Sequence, residues 1–355
     1  MAVLESDQRV QALRNTMLSL GNTAFGFSVH NLAAWFTWAI SEFGQEAAVV
    51  HLEHYLDAEE IPVVNTLWVI GIETEETIEL NDGYRIVPLK EMPDSRDKEQ
   101  YLNFEFRPHM PPTPSAAICQ TTMIRKATAV DDEAGLAFNP EIGKIVQQLD
   151  EIALLINALD DFACLPYFST AYSLPTMPFG PFGGSGGGYP QYDILGRTSS
   201  KISSAVVPDL EKMRIAFGKK SSMEQLRLRR ILFRLSQARR RDQLEDKILD
   251  LGIALEMALL DDNQNADQLS LAFRLRGSWL VGKNGAERKQ LYKQLRDLYV
   301  LRSQVAHTGS LCANNHDKIN AVRGRFSEFS QIAGRVIRGL LLQGRPDWTE
   351  LILDA

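Results

Sequence analysis

An arginine and a histidine five positions apart, Arg302 and His307, stand in the segment Leu298-Tyr-Val-Leu-Arg-Ser-Gln-Val-Ala-His-Thr-Gly309. A guanidinium stays positive and can stabilise charge that builds up on a phosphate. An imidazole can take up or release a proton near neutral pH. The two together suit cleavage of a ribose-phosphate linkage, in which the base removes the 2′-hydroxyl proton and the 2′ oxygen attacks phosphorus. The products are a 2′,3′-cyclic phosphate and a 5′-hydroxyl. DNA lacks the attacking hydroxyl, so such chemistry selects RNA, and neither metal nor cofactor is expected. On an ideal α-helix, positions five apart lie about 140° and about 7.5 Å from each other and do not stack. Arg302 is therefore expected in the last turns of a helix and His307 at its terminus or at a bend, with Gly309 ending it. Two copies about a dimer axis would bring both side chains into one cleft. Taken alone, the spacing favours a helix-end histidine that makes a structural hydrogen bond.

The elements that position this segment read as a C-terminal helical bundle. Apolar positions recur from Leu226 to Leu235 and then at Ile248, Leu251, Leu255 and Leu259. Leu269 to Leu280 forms a further helix, broken by Gly282-Lys-Asn-Gly285. Another begins near Glu287 and carries Leu291, Leu295, Leu298 and Leu301, and a last one covers 315–343. Asp250 and Glu256 are polar exceptions beside an apolar face. Six positions apart, they form no same-face carboxylate pair, and hydrogen bonding or helix-pair electrostatics is their default role. Arg227, Arg230, Arg234, Arg239, Arg240 and Arg241 form a basic group with RNA-binding potential, because guanidinium groups pair with phosphate and stack on bases. A solvated or interdomain face explains them equally well.

Upstream, residues 5–57 read as mainly helical, with Phe25, Phe27, Trp35, Phe36 and Trp38 as packing surfaces. His51 and His54 lack a third metal ligand by spacing and read as packing or exposed residues. Residues 61–110 read as strands: Val63 to Ile72 is β-rich, Asn81-Asp-Gly83 between alternating segments is a hairpin signal, and Tyr101 to Arg107 alternates aromatic and polar positions. Pro111-Pro-Thr-Pro114 is expected to leave the sheet. Residues 139–164 return to a helical pattern whose face carries Ile145, Leu149, Ile152, Leu155, Ile156 and Leu159. Residues 165–197, rich in Gly, Pro, Tyr and Phe, read as a long loop that covers a site or meets a partner, or as a surface insertion. Gly183 to Gly188 has no following Gly-Lys-Ser/Thr, which excludes a P-loop.

The net charge of -7 conceals a division. Residues 1–208 carry 12 basic and 27 acidic side chains, whereas residues 209–345 carry 26 basic and 15 acidic. A basic C-terminal half suits a polyanion, although attraction between the halves would explain the split as well. Cys119, Cys164 and Cys312 have no metal-ligand spacing and read as reduced cytoplasmic thiols. No apolar run reaches the ~18 residues of a membrane helix, and no secretory signal is evident. The expected class is α+β: a mixed N-terminal region with β-strands at 1–208, sensory or regulatory, followed by a helical bundle at 209–345.

From Arg239 to His307 the chain resembles the HEPN-domain family, in particular its Apea-like branch. The resemblance lies in Ile248-Leu-Asp-Leu-Gly-Ile-Ala-Leu-Glu256, in Leu269-Ser-Leu-Ala-Phe-Arg-Leu-Arg276 and in Leu298 to His307, in that order. It implies a homodimeric, metal-independent endoribonuclease with Arg302 and His307 as catalytic residues. It also implies a role in antiphage defence or growth arrest, a toxin-like activity under a phage-derived or host regulatory partner. Glu256 becomes a candidate to orient or tune the site. Family members often carry a glycine or another small residue directly after the histidine. Here Thr308 precedes Gly309, a departure that bears on cleft geometry. Two other readings compete: a catalytically inactive HEPN-like RNA-binding or regulatory assembly protein, and a helical module that recognises another protein.

Overall fold

The computed structural model describes residues 2–19, 24–95, 98–99, 114–129, 140–159, 162–180, 185–188, 199–260, 268–311 and 316–353. The protein is α+β, with a sheet-bearing N-terminal part and a helical C-terminal part. It divides into two compact units: residues 1–150 with 166–190, and residues 151–165 with 191–355.

The first unit opens with α1 (Ala2–Ser6) and α2 (Gln8–Ala12), followed by β1 (Thr16–Ser19), β2 (Ala24–Gly26), α3 (Val29–Phe43) and α4 (Gln45–Asp57). Residues 5–57 are mainly helical, as expected, with two short strands that the helical pattern does not show. Asn15 has a left-handed φ of 65° that stops the helix, and β1 then finds a partner far along the chain in β8 (Ala127–Ala129). Such a pairing leaves no local periodicity to read. His51 lies edge-on to Phe43, a packing contact.

β3 (Glu60–Ile70) carries a dense run of β-branched and aromatic residues that is buried on both faces, as central strands are. β4 (Ile72–Glu73) is short, and β5 (Ile78–Glu79) turns through Asn81-Asp-Gly83 into β6 (Tyr84–Pro88). That hairpin was expected; its register places Ile78 opposite Ile86, and Asp82 and Gly83 take positive φ. β7 (Ala116–Arg125) pairs antiparallel with β3 from Glu60↔Arg125 to Val69↔Ala116. The expected strand at Tyr101–Arg107 lies outside the described residues.

α5 (Pro140–Ile156) follows the first part of the helix expected over 139–164; the five face positions within it are buried, and Leu159 is buried in the turn beyond its end. The expected loop at 165–197 is corrected in two places: Leu165–Ser173 is β9 and Ser185–Gly188 is β10. The six-stranded sheet runs β10-β9-β3-β7-β6-β5. β9 is an interior strand, anchored where Trp68 Nε1 donates to Thr170 Oγ1 at 2.9 Å. An interior strand made of Tyr, Phe and Thr needs no aliphatic alternation, so its pattern does not resemble a half-exposed strand.

Lys126 is nearly buried between β7 and β8. Its Nζ donates to the carbonyls of Tyr55 and Leu56 at 2.7 and 3.0 Å, closing the C-terminus of α4. Burial pushes the ammonium below its usual range. Lys126→Met leaves two buried carbonyls unpaired and is expected to cost about 1–3 kcal/mol. Urea unfolding should show a lower midpoint at unchanged slope. An unchanged midpoint would show that the cap contributes nothing.

The second unit holds α6 (Val207–Gly218), α7 (Ser222–Arg240), α8 (Leu244–Leu259), α9 (Leu269–Val281), α10 (Gly285–Thr308), α11 (His316–Gln343) and α12 (Trp348–Leu353). α8 is the central helix: it packs against α7, α9, α10 and α11 and buries Ile248, Leu251, Ala254, Leu255, Ala258 and Leu259. α7 starts on a capping box formed by Ser221 and Glu224. α10 starts on Asn284, whose Oδ1 accepts from the amides of Ala286 and Glu287. No helix among the described residues is long and apolar enough to cross a membrane.

Candidate active site

Both sequence-designated site residues belong to α10. Arg302 lies two turns from the helix end, and His307 lies in the last turn. Gly309 follows in the left-handed region at φ 71°, and its amide donates to the Val305 carbonyl at 2.8 Å. Glycine adopts that φ without the clash a side chain would meet, so it ends the helix cleanly just beyond the histidine.

Arg302 faces α8. Its stem lies against Gly252: a Cβ built there would stand 2.3 Å from Arg302 Cγ and 2.9 Å from its Cβ. One turn further along α8, Glu256 receives the head, with Arg302 Nη2 at 2.5 Å from Glu256 Oε2. A glycine and a glutamate at i and i+4 thus hold one arginine, the first by leaving room and the second by charge. The side chains remain 26% and 22% exposed, so the pair is open to solvent on one side. Arg302 Nε is buried without a hydrogen-bond partner among the described residues. Spacing alone does not establish a contact for Glu256; in the fold it pairs with Arg302. The Gly252 cradle was missed; its signal was a small residue at a core position of the α8 pattern, one turn before the glutamate.

Burial lifts the Glu256 carboxyl above its ordinary value, while Arg302 pulls it down. Arg302→Met removes that pull and strands a half-buried carboxylate, at an expected cost of about 1–3 kcal/mol near neutral pH. Glu256 would then bind its proton more tightly in the folded state than in the unfolded one. The folded state therefore holds more protons, and stability rises as pH falls through the raised value. The deficit of Arg302→Met against Arg302→Met/Glu256→Gln should shrink from neutral towards acid pH in urea unfolding. A deficit independent of pH would contradict the coupling.

His307 is exposed and makes no hydrogen bond among the described residues. Because α10 is continuous, the ideal offset applies, and His307 points about 140° away from Arg302 with about 7.5 Å of rise. One chain does not bring the two together.

The six arginines grouped in the sequence scatter. Arg227 Nη2 donates to the Met257 carbonyl at 2.7 Å and caps α8. Arg234 and Arg241 both bind Asp250, at 2.8 and 3.2 Å, which explains that polar residue in an apolar face. Arg239 and Arg240 are buried, at 5% and 2% exposure, and present no guanidinium to the surface of the chain. Arg230 is exposed. A basic count in the sequence does not distinguish a cation that meets solvent from one that ties helices together.

Comparison with protein-family models, curated proteins and solved structures finds no match.

Proposed function

We propose that the chain is a metal-independent endoribonuclease of HEPN type, acting as a homodimer. The observation that supports this reading most is the α8–α10 arrangement: a guanidinium gripped by Gly252 and Glu256, on the same helix as an exposed imidazole in the last turn. Fixing the cation beforehand removes the reorganisation that would otherwise accompany charge build-up on phosphate.

In the dimer, Arg302 of one protomer meets the partner's His307 across a ribose-phosphate linkage. The imidazole takes the 2′-hydroxyl proton, the 2′ oxygen bonds to phosphorus, and the bond to the 5′ oxygen breaks. The proton reaches that leaving oxygen from the imidazolium, directly or through water. Arg302 neutralises the charge on the pentacovalent phosphorus oxygens. Incubation with mixed RNAs in the presence of EDTA, followed by end-group analysis, should yield 2′,3′-cyclic phosphate and 5′-hydroxyl ends.

One observation favours a second reading. Glu256 neutralises Arg302 within the chain, as a purely structural ion pair would. On that reading the protein is a non-cleaving HEPN-like RNA-binding or regulatory assembly protein, and the same incubation returns intact RNA. Antiphage defence or growth arrest, a cytoplasmic setting and a phage-derived or host regulator belong to the proposal through the family resemblance.

A further inference from the structure

The outer face of α10 carries a second pattern. Lys289, Lys293, Arg296, Val300, Ser303 and His307 recur at spacings of four, three, four, three and four. At about 100° and 1.5 Å per residue, all six lie within about 40° of one line roughly 27 Å long. Ser303 is half-buried and the other five are exposed. No carboxylate stands on that line. Asp297, one position off it, is shared between Arg296 at 3.2 Å and Arg325 at 3.1 Å, which leaves the ridge with positive excess. Lys289 and Lys293 make no ion pair or hydrogen bond among the described residues.

We propose that this ridge seats single-stranded RNA, with phosphates on Lys289, Lys293 and Arg296 and the strand leading to His307. Three cations spaced along one helix face match a polyanion better than a compact anion, which would need them convergent. Val300, more than half exposed, gives an apolar seat for a ribose or base face between the cations and the imidazole. A convex helix face tracks a single strand whose bases turn freely. Placing the scissile linkage at His307 rests on the endoribonuclease reading, whereas the phosphate track does not.

The test uses the full chain carrying His307→Ala, so that the probe stays whole. The probe is a fluorescein-labelled single-stranded RNA of about twelve nucleotides, followed by anisotropy across a salt series. Adding Lys289→Ala, Lys293→Ala and Arg296→Ala should reduce the salt slope by about two, from roughly 0.7 per lost phosphate contact. Affinity near 0.1 M salt should fall by about tenfold or more. A charge-matched triple on α5, α6 and the turn after α6 (Lys144→Ala, Lys212→Ala, Lys219→Ala), all exposed, should keep the slope. The ridge is overturned by an unchanged slope in the first triple, by equal losses in both triples, or by no binding at all. A chain that binds along the ridge but never yields cyclic phosphate keeps the ridge and loses the nuclease reading. A chain that cleaves, with KM unmoved by neutralising the ridge, loses the ridge alone.

Discussion

His307→Ala is expected to slow RNA cleavage by about 10²–10⁴-fold, the loss that follows removal of a positioned general base. Arg302→Ala is expected to cost about 10²–10³-fold through lost stabilisation of the charged transition state. The double variant should fall little below the worse single one, because base and cation act on one event. His307 is exposed and makes no hydrogen bond among the described residues, so its replacement should leave the unfolding midpoint in place. Arg302 differs, because its removal strands Glu256. Arg302→Ala/Glu256→Gln separates the two effects: stability should return while cleavage stays lost. Full cleavage in either single variant would remove that residue from the proposed chemistry.

Arg239→Ala should instead unfold the second unit without acting on RNA directly. Arg239 Nε donates to Ser330 Oγ at 2.8 Å and Nη2 to the Ser330 carbonyl at 3.3 Å. Nη1 donates to the carbonyls of Asn157 and Phe162. One buried guanidinium thus joins α7 to α11 and to the chain that follows α5. Removing it takes that donor from the Asn157, Phe162 and Ser330 carbonyls and from the Ser330 hydroxyl, at an expected cost of about 3–5 kcal/mol. Denaturant unfolding would read that loss directly. Arg230→Ala, on the same helix but exposed, should shift the midpoint by less than about 0.5 kcal/mol. Near-equal effects of the two substitutions would contradict the assignment of Arg239 to the interior.

The contrast between Arg239 and Arg230 marks where the sequence could be read and where it could not. Both sit in one arginine-rich stretch, and only the folded partners separate them. Features set by local chemistry were legible: the Asn81-Asp-Gly83 turn, the break at Gly282-Lys-Asn-Gly285, the stop at Gly309 and the apolar face of α5. Features set by distant pairing were not. β7 and β9 owe their strand state to β3, more than forty and ninety residues upstream respectively, and neither alternates as a half-exposed strand does. The candidate site divides in the same way. Arg302, His307 and Glu256 could be named as candidates from residue type and order, but the pairing of Glu256 with Arg302 could not. Gly252 acquires its role only when α10 lays an arginine stem across it.

The central claim is that cation and base come from opposite protomers, and mixing two inactive variants tests it most directly. A His307→Ala chain still supplies Arg302, and an Arg302→Ala chain still supplies His307. In a mixed dimer one composite site is whole and the other lacks both groups. After subunit exchange at equal concentrations, half the dimers are mixed, so about a quarter of the wild-type rate of cyclic-phosphate formation should return. A mixture as inactive as its components, under conditions where exchange is complete and wild-type chain cleaves RNA, would contradict the shared site.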